Sequence, residues 1–194
     1  MPKPRTTAAE VAEIELARSA GDKRRVLTLL MERHGDAIFR FAVAMTRDRD
    51  LAEEIRQQVF VEIYRDVGRL AAGASLHNWV FGIARNRCLD AVHARRRWNL
   101  RYKNASPENL EQDEVSPDRD LDRCTLARIL GACLAKLAPA AREAMILRYQ
   151  QELSYDDAAA ITGDSPATLR QRVIRALPLL RRCVETHLRP RHSH

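Results

Sequence analysis

Residues 154–175 read SYDDAAAITGDSPATLRQRVIR, and their punctuation is that of two short helices joined by a tight turn. Ser154 is suited to cap the first helix, with Asp156 and Asp157 in a first turn where the helix dipole favours negative charge. Ala158, Ala159 and Ile161 give that helix a small apolar face, against which a second helix approaches closely. Gly163 supplies a residue that adopts the left-handed conformation without penalty and ends the helix. Ser165 caps again, and Pro166 falls at the first helical position, where its missing N–H costs nothing. Leu169, Val173 and Leu177 then recur at helical spacing, while Arg170, Gln171, Arg172 and Arg175 occupy much of the remaining surface. A capped helix, a glycine turn and a second helix loaded with Arg and Gln reads as a helix-turn-helix. Arg and Gln are also the side chains that match guanine and adenine edges in the major groove. A solvated helical hairpin in a basic protein is the plainer alternative.

Charge favours the first reading. The chain has 194 residues and a formal net charge of +7, a balance that favours polyanionic partners, nucleic acid foremost. Charged residues make up 30%, and 7 Gly with 8 Pro are too few for a disordered or β-rich chain, so the composition predicts an all-α protein. Cys88, Cys124, Cys133 and Cys183 are scattered without a CxxC pair and read as reduced, small apolar residues. His187, His192 and His194 near Cys183 match no strong zinc spacing and read as a tail, so neither metal nor cofactor is expected. The N-terminus MPKPRTTAAE lacks an apolar signal core, and no apolar run approaches the roughly 18 residues needed to span a bilayer. A cytoplasmic protein without membrane insertion is the expectation.

In order along the chain, Ala9–Ser19 predicts a short helix with Val11, Ile14 and Leu16, and Asp22 caps the next, which carries Val26, Leu27, Leu29, Leu30 and Met31 and ends near His34-Gly35. Asp36–Thr46 predicts a third, with Ile38, Phe39, Phe41, Val43 and Met45. Between Asp48 and Leu70, Leu51, Ile55, Val59, Ile63 and Val67 recur every four residues as one apolar stripe. Arg69–Ser75 breaks that pattern, and Ser75 caps a helix predicted to run from Leu76 to about Arg97. Leu76, Trp79, Val80, Ile83, Cys88, Leu89 and Val92 are its inward residues. The run RRRWNLRYK at 95–103 interleaves Trp98 and Tyr102 with cations, which suits single-stranded nucleic acid: cations track phosphates while rings stack on bases.

Residues 104–122 change character, with Pro107, Pro117 and a dense series of Asp and Glu but few large apolar residues. Such a segment buries no core and reads as an acidic flexible linker. The expected organisation is a tail and short helix at 1–21, a helical domain at 22–103, the linker at 104–122, a helix-turn-helix domain at 123–188 and a tail at 189–194. Within the second domain, Leu126, Ile129, Leu130, Cys133 and Leu134 keep helical spacing. Met145, Ile146, Leu147 and Tyr149 are expected under the helix-turn-helix, with Leu179, Leu180 and Val184 completing its core. Pro178 predicts a kink or stop in the second helix of the motif.

Three stretches, in order and with matching gaps, resemble the extracytoplasmic-function (ECF) sigma factors of bacterial RNA polymerase, within the sigma-70 family. LAEEIRQQVFVEIYRDVGRL at 51–70 resembles the family's core-polymerase-binding helix through Ala52-Glu53-Glu54-Ile55, Gln57 and Phe60. ASLHNWVFGIARNRCLDAVHARRR at 74–97 resembles its minus-ten-reading part through Trp79, Ile83-Ala84-Arg85-Asn86 and Leu89-Asp90. The segment from Leu137 to Leu177 resembles its C-terminal domain through Leu147-Arg148, Leu153-Ser154-Tyr155, Ala158-Ala159, Thr168, Arg172 and Arg175-Ala176. Arg56 and Gln58 depart from the family pattern, which usually has a small apolar residue and an acid at these places.

The resemblance implies a non-enzymatic transcription initiation factor, monomeric when free. It would bind core RNA polymerase at the β′ clamp through Glu53, Glu54 and Gln57. Promoter DNA would be read at the minus-ten element by Arg85, Asn86, Arg95, Arg96, Arg97 and Trp98, and at the minus-thirty-five element by Thr168, Arg170, Gln171, Arg172, Ile174 and Arg175. Arg172 has a second possible role, as ion-pair partner of Asp156 or Asp157. The resemblance also implies an anti-sigma partner. A stand-alone helix-turn-helix regulator is the alternative function, and it leaves the first domain and the RRRWNLRYK run without a task. An enzyme acting on nucleic acid finds no phosphate-binding glycine loop to rest on.

Overall fold

Side-chain caps decide where the helices of the N-terminal half begin. The Asp22 carboxylate accepts from the Arg25 N–H at 2.9 Å and opens α2 (Lys23–Thr46). Asp48 accepts from the Leu51 N–H at 3.0 Å and opens α3 (Arg49–Asp66), and Ser75 accepts from the Asn78 N–H at 3.2 Å at the start of α4 (Leu76–Tyr102). A preceding helix, α1 (Ala8–Ser19), packs on α2. The computed structural model describes residues 8–71, 74–102 and 121–188, and these are helical with short connections and no strand. Both tails and residues 103–120 lie outside them, as do His192, His194 and the linker reading at 104–122 up to residue 120; its last two residues, Leu121 and Asp122, are helical instead.

Val26, Leu30, Ile38 and Phe41 of α2 interlock with Ile55, Val59 and Ile63 of α3 and with Val80, Phe81 and Cys88 of α4, all almost fully buried. Phe81 meets Phe41 edge-on at 5.7 Å between ring centroids, and His34 and His77 complete the ring cluster. Two expectations fail here. Helix α2 is continuous through His34-Gly35, because its buried stripe passes through these residues and outweighs the roughly 1 kcal/mol that a helical glycine costs. Helix α4 reaches Tyr102 rather than ending near Arg97. In α1, Ile14 and Ala17 are buried while Leu16 is exposed.

The C-terminal half comprises α5 (Leu121–Ala135), α6 (Pro139–Met145), α7 (Tyr155–Thr162) and α8 (Pro166–Leu188), with one π turn at Ile146–Gln150 extending α6. Its core joins Met145, Ile146, Leu147 and Leu153 to Ala158, Ile161, Leu169, Val173, Ala176 and Leu180. Tyr149 and Leu179, expected inside, are exposed, as is Leu177. Ala176 takes the inward place that Leu177 leaves, since residues three and seven on from Val173 and Leu169 share one face. Pro178 does not stop α8, which continues to Leu188; Pro178 is exposed, as is Ile174, whose carbonyl it cannot bond.

The two halves are in contact through α4 and α7. The Asn78 amide donates to Asp157 at 2.9 Å, and the Arg85 guanidinium pairs with buried Glu143 of α6.

Candidate nucleic-acid interface

The helix-turn-helix is built as its punctuation predicts. The Asp157 N–H donates to Ser154 Oγ at 3.0 Å, Gly163 caps α7 at φ 77°, and the Thr168 N–H donates to Ser165 Oγ at 3.1 Å. Arg170, Gln171, Ile174 and Arg175 stand exposed on α8, one outward surface at the start of the second helix. Thr168 is exposed too, but its hydroxyl lies 2.9 Å from Ser165 Oγ and belongs to the cap. Arg172 pairs with Asp164, two guanidinium nitrogens against both carboxylate oxygens, and not with Asp156 or Asp157. Asp164 sits in the turn, where the rotation of α8 brings Arg172 back over it. Tyr155 lies between Arg148 and Arg170, each with its guanidinium carbon 5.3 Å from the ring centroid, so α7 props one of the outward cations of α8.

On α4, Asn86, Arg96, Arg97 and the ring of Trp98 are exposed. Arg95 is half exposed and reaches Asp48, the cap of α3, at 3.1 Å. Arg85 is different: its side chain is 17% exposed, and it faces Glu143 across the junction of the two halves. The minus-ten residues expected to act together are thereby divided. Arg96, Arg97 and Trp98 are exposed, whereas Arg85 is mostly buried against Glu143.

The three expected polymerase contacts are divided as well. Glu53 and Gln57 line a shallow groove between α2 and α3 with Met31, Arg56 and Phe60, and Glu53 accepts from Arg56 at 2.6 Å. Glu54 lies on the other side of α3, in a groove shared with Arg87, Asp90 and Arg97, and accepts from Gln58 at 3.0 Å. The two residues that depart from the family pattern, Arg56 and Gln58, thus hold the two acids.

Sequence reasoning missed the junction. Its residues, Asn78, Arg85, Glu143 and Asp157, come from three helices, and only Glu143, a charge inside the apolar run AREAMIL, carries a local signal. Hydrogen bonds from Asn78 and then from Ser154 hold the Asp157 carboxyl below its ordinary value. Burial, followed by the Glu143 charge, pushes the Cys88 thiol up to about 12. Burial and then the like charge of Arg47 hold Arg142 below the usual guanidinium range, so the junction also carries an unfavourable pair. The reduced-cysteine expectation fails: Cys133 and Cys183 form a disulfide between α5 and α8, two helices whose approach a separation of 50 residues does not disclose. Cys88 is a free, buried thiol.

Residues 30–98 match the Sigma-70 region 2 family model, and residues 127–180 match the model for Sigma-70, region 4. The RNA polymerase sigma factor CarQ of Myxococcus xanthus is 30% identical over 155 residues, covering 78% of this chain and 85% of that protein. The ECF RNA polymerase sigma factor SigE of Mycolicibacterium smegmatis is 29% identical over 161 residues, which are 81% of this chain but 61% of that longer relative. Among solved structures, the sigma factor RpoE of Bartonella quintana, in complex with the anti-sigma factor NepR, has a TM-score of 0.66 at 26% identity, over 80% of this chain and 94% of that one.

Proposed function

Because the chain belongs to the ECF group of the sigma-70 family, a family of transcription initiation factors, we propose that it joins core RNA polymerase and directs it to promoters through two separate DNA-reading surfaces. The observation that carries this reading is the presence, in order, of both matched regions, each with a helix that offers cations to solvent: Arg96 and Arg97 on α4, Arg170 and Arg175 on α8. The working division is a region 2 unit at 22–103 and a region 4 unit at 123–188.

Arg170, Gln171 and Ile174 meet base edges of the minus-thirty-five element, and Arg175 takes phosphate. Thr168 and Arg172 hold the helix end through Ser165 and Asp164. At the minus-ten element, Asn86 and Arg85 contact an unstacked base, whose extrusion costs a few kcal/mol and needs a hydrogen-bonding pocket. Trp98 stacks on a base of the separated strand while Arg95, Arg96 and Arg97 follow its phosphates. Glu53, Glu54 and Gln57 meet the β′ clamp. The polymerase supplies the chemistry, in the cytoplasm, and this chain supplies no catalysis and needs no cofactor for it.

The docked arrangement bears on how this works. With α4 against α7, Arg85 is held by Glu143 and is not open to DNA, so reading an unstacked base with Arg85 requires it to leave Glu143. An anti-sigma partner holds the chain inactive in this reading, which is supported by the fact that the Bartonella relative was solved in complex with an anti-sigma factor.

Mixing the purified chain with bacterial core polymerase and sequencing the transcripts that start is the direct test. Defined start sites that depend on the chain are expected. A chain that grips duplex sites unaided but never joins the core enzyme is a stand-alone regulator, and the proposal is then wrong.

A further inference from the structure

Cys183 and His187 stand four residues apart on α8 and therefore share a face, which α5 covers with Cys133. Cys133 is buried, Cys183 half-buried and His187 exposed. The His187 Nδ1 atom is 3.9 Å from Cys133 Sγ and 4.0 Å from Cys183 Sγ, and all three ligand atoms lie within 4.8 Å of one another. A disulfide needs no imidazole beside it. A tetrahedral zinc site with ordinary bond lengths places sulfur and nitrogen about 3.6 Å apart, close to the separations found here.

We propose that Cys133, Cys183 and His187, with the cysteines in the dithiol form, bind a thiophilic d10 cation of the zinc(II) type. Two thiolates and an imidazole suit such an ion, whereas magnesium and calcium take oxygen ligands. The disulfide is opened by a dithiol reductant, which delivers two electrons and two protons to the two sulfurs and leaves as a disulfide itself. Zinc(II) then replaces the two thiol protons, which pass to solvent, and water takes the fourth position. The His187 Nδ1 atom also lies 2.8 Å from the Cys183 carbonyl oxygen, a contact it gives up on the exposed helix surface when it turns to the metal. In either state α5 stays tied to the last turns of α8, the helix whose opposite end carries Arg170 and Gln171. The inference rests on this geometry and not on the reading of the chain as a sigma factor.

The test is a cobalt(II) titration of the full-length, untagged chain under argon after phosphine reduction, followed by zinc(II) displacement. One cobalt per chain is expected, with thiolate-to-cobalt charge transfer in the near ultraviolet and intense tetrahedral bands in the visible, all lost on adding zinc. Cys133→Ser and Cys183→Ser remove the charge-transfer band. His187→Gln, at an exposed position that leaves the fold intact, weakens binding at least ~10-fold and shifts the visible bands. Cys88→Ser and the double variant His192→Gln/His194→Gln leave the titration unchanged. No saturable binding, a His187→Gln spectrum identical to that of the parent chain, or a disulfide that resists phosphine in the folded protein each overturns the proposal, the last marking a permanent cross-link.

Discussion

Replacing Glu143 by Gln should part the two halves of the molecule without unfolding either. Glu143 is 7% exposed and Arg85 17%, and the Arg85 guanidinium donates to the Glu143 carboxylate across the junction. A hydrogen bond to a charged group contributes about 1.5–3 kcal/mol. Gln keeps the shape and an acceptor but removes the charge, and the residual exposure of Arg85 puts the loss at the low end, about 1.5–2 kcal/mol. Docking should therefore weaken about ten- to thirtyfold. Small-angle X-ray scattering reads this directly: Glu143→Gln and Arg85→Ala should both enlarge the radius of gyration, while circular dichroism keeps its helical signal. The exchange variant Arg85→Glu with Glu143→Arg should recover much of the compact profile, because the pair is re-formed with its ends reversed. Single variants whose scattering superimposes on that of the parent chain would refute the reasoning, as would an exchange that restores nothing.

Acid should loosen the same junction. Asp157 has a carboxyl held below its ordinary value of 3.8, first by Asn78, so its contribution is complete above that value and is lost as pH falls through the lower, docked one. Scattering should accordingly show an expansion that begins below pH about 4, and Asp157→Asn should remove that component. Arg172→Ala and Asp164→Ala should each lower stability by about 1 kcal/mol in thermal melts while leaving base preference intact; Gln171→Ala should cost about 1–3 kcal/mol at one promoter position. Pro178→Ala should stabilise the chain by about 1–2 kcal/mol, since it restores an N–H within an exposed stretch of helix. Charge reversal at Glu53 and at Glu54, in separate grooves, should weaken core-polymerase binding in pull-down assays without lowering the melting temperature, and retained affinity in both would remove the clamp assignment.

Helix type, most helix starts and the helix-turn-helix were legible from the amino-acid order alone, because caps, glycine stops and apolar spacing act within a few residues. Asp22, Ser75, Ser154 and Ser165 all cap where the chain order predicts. Of the expected DNA-reading residues of α8, Arg170, Gln171, Ile174 and Arg175 also reach solvent on one surface, because that surface is simply the face its core stripe leaves over. Where propensity and burial disagree, burial wins: Gly35 does not break α2 and Pro178 does not end α8, since the buried stripe of each helix continues past them. Only the tertiary structure decided which long-range partners meet. Arg85 with Glu143, Asn78 with Asp157, and Cys133 with Cys183 and His187 are separated by 50 or more residues and lie on different helices. No periodicity within one helix encodes the rotation at which another helix docks against it.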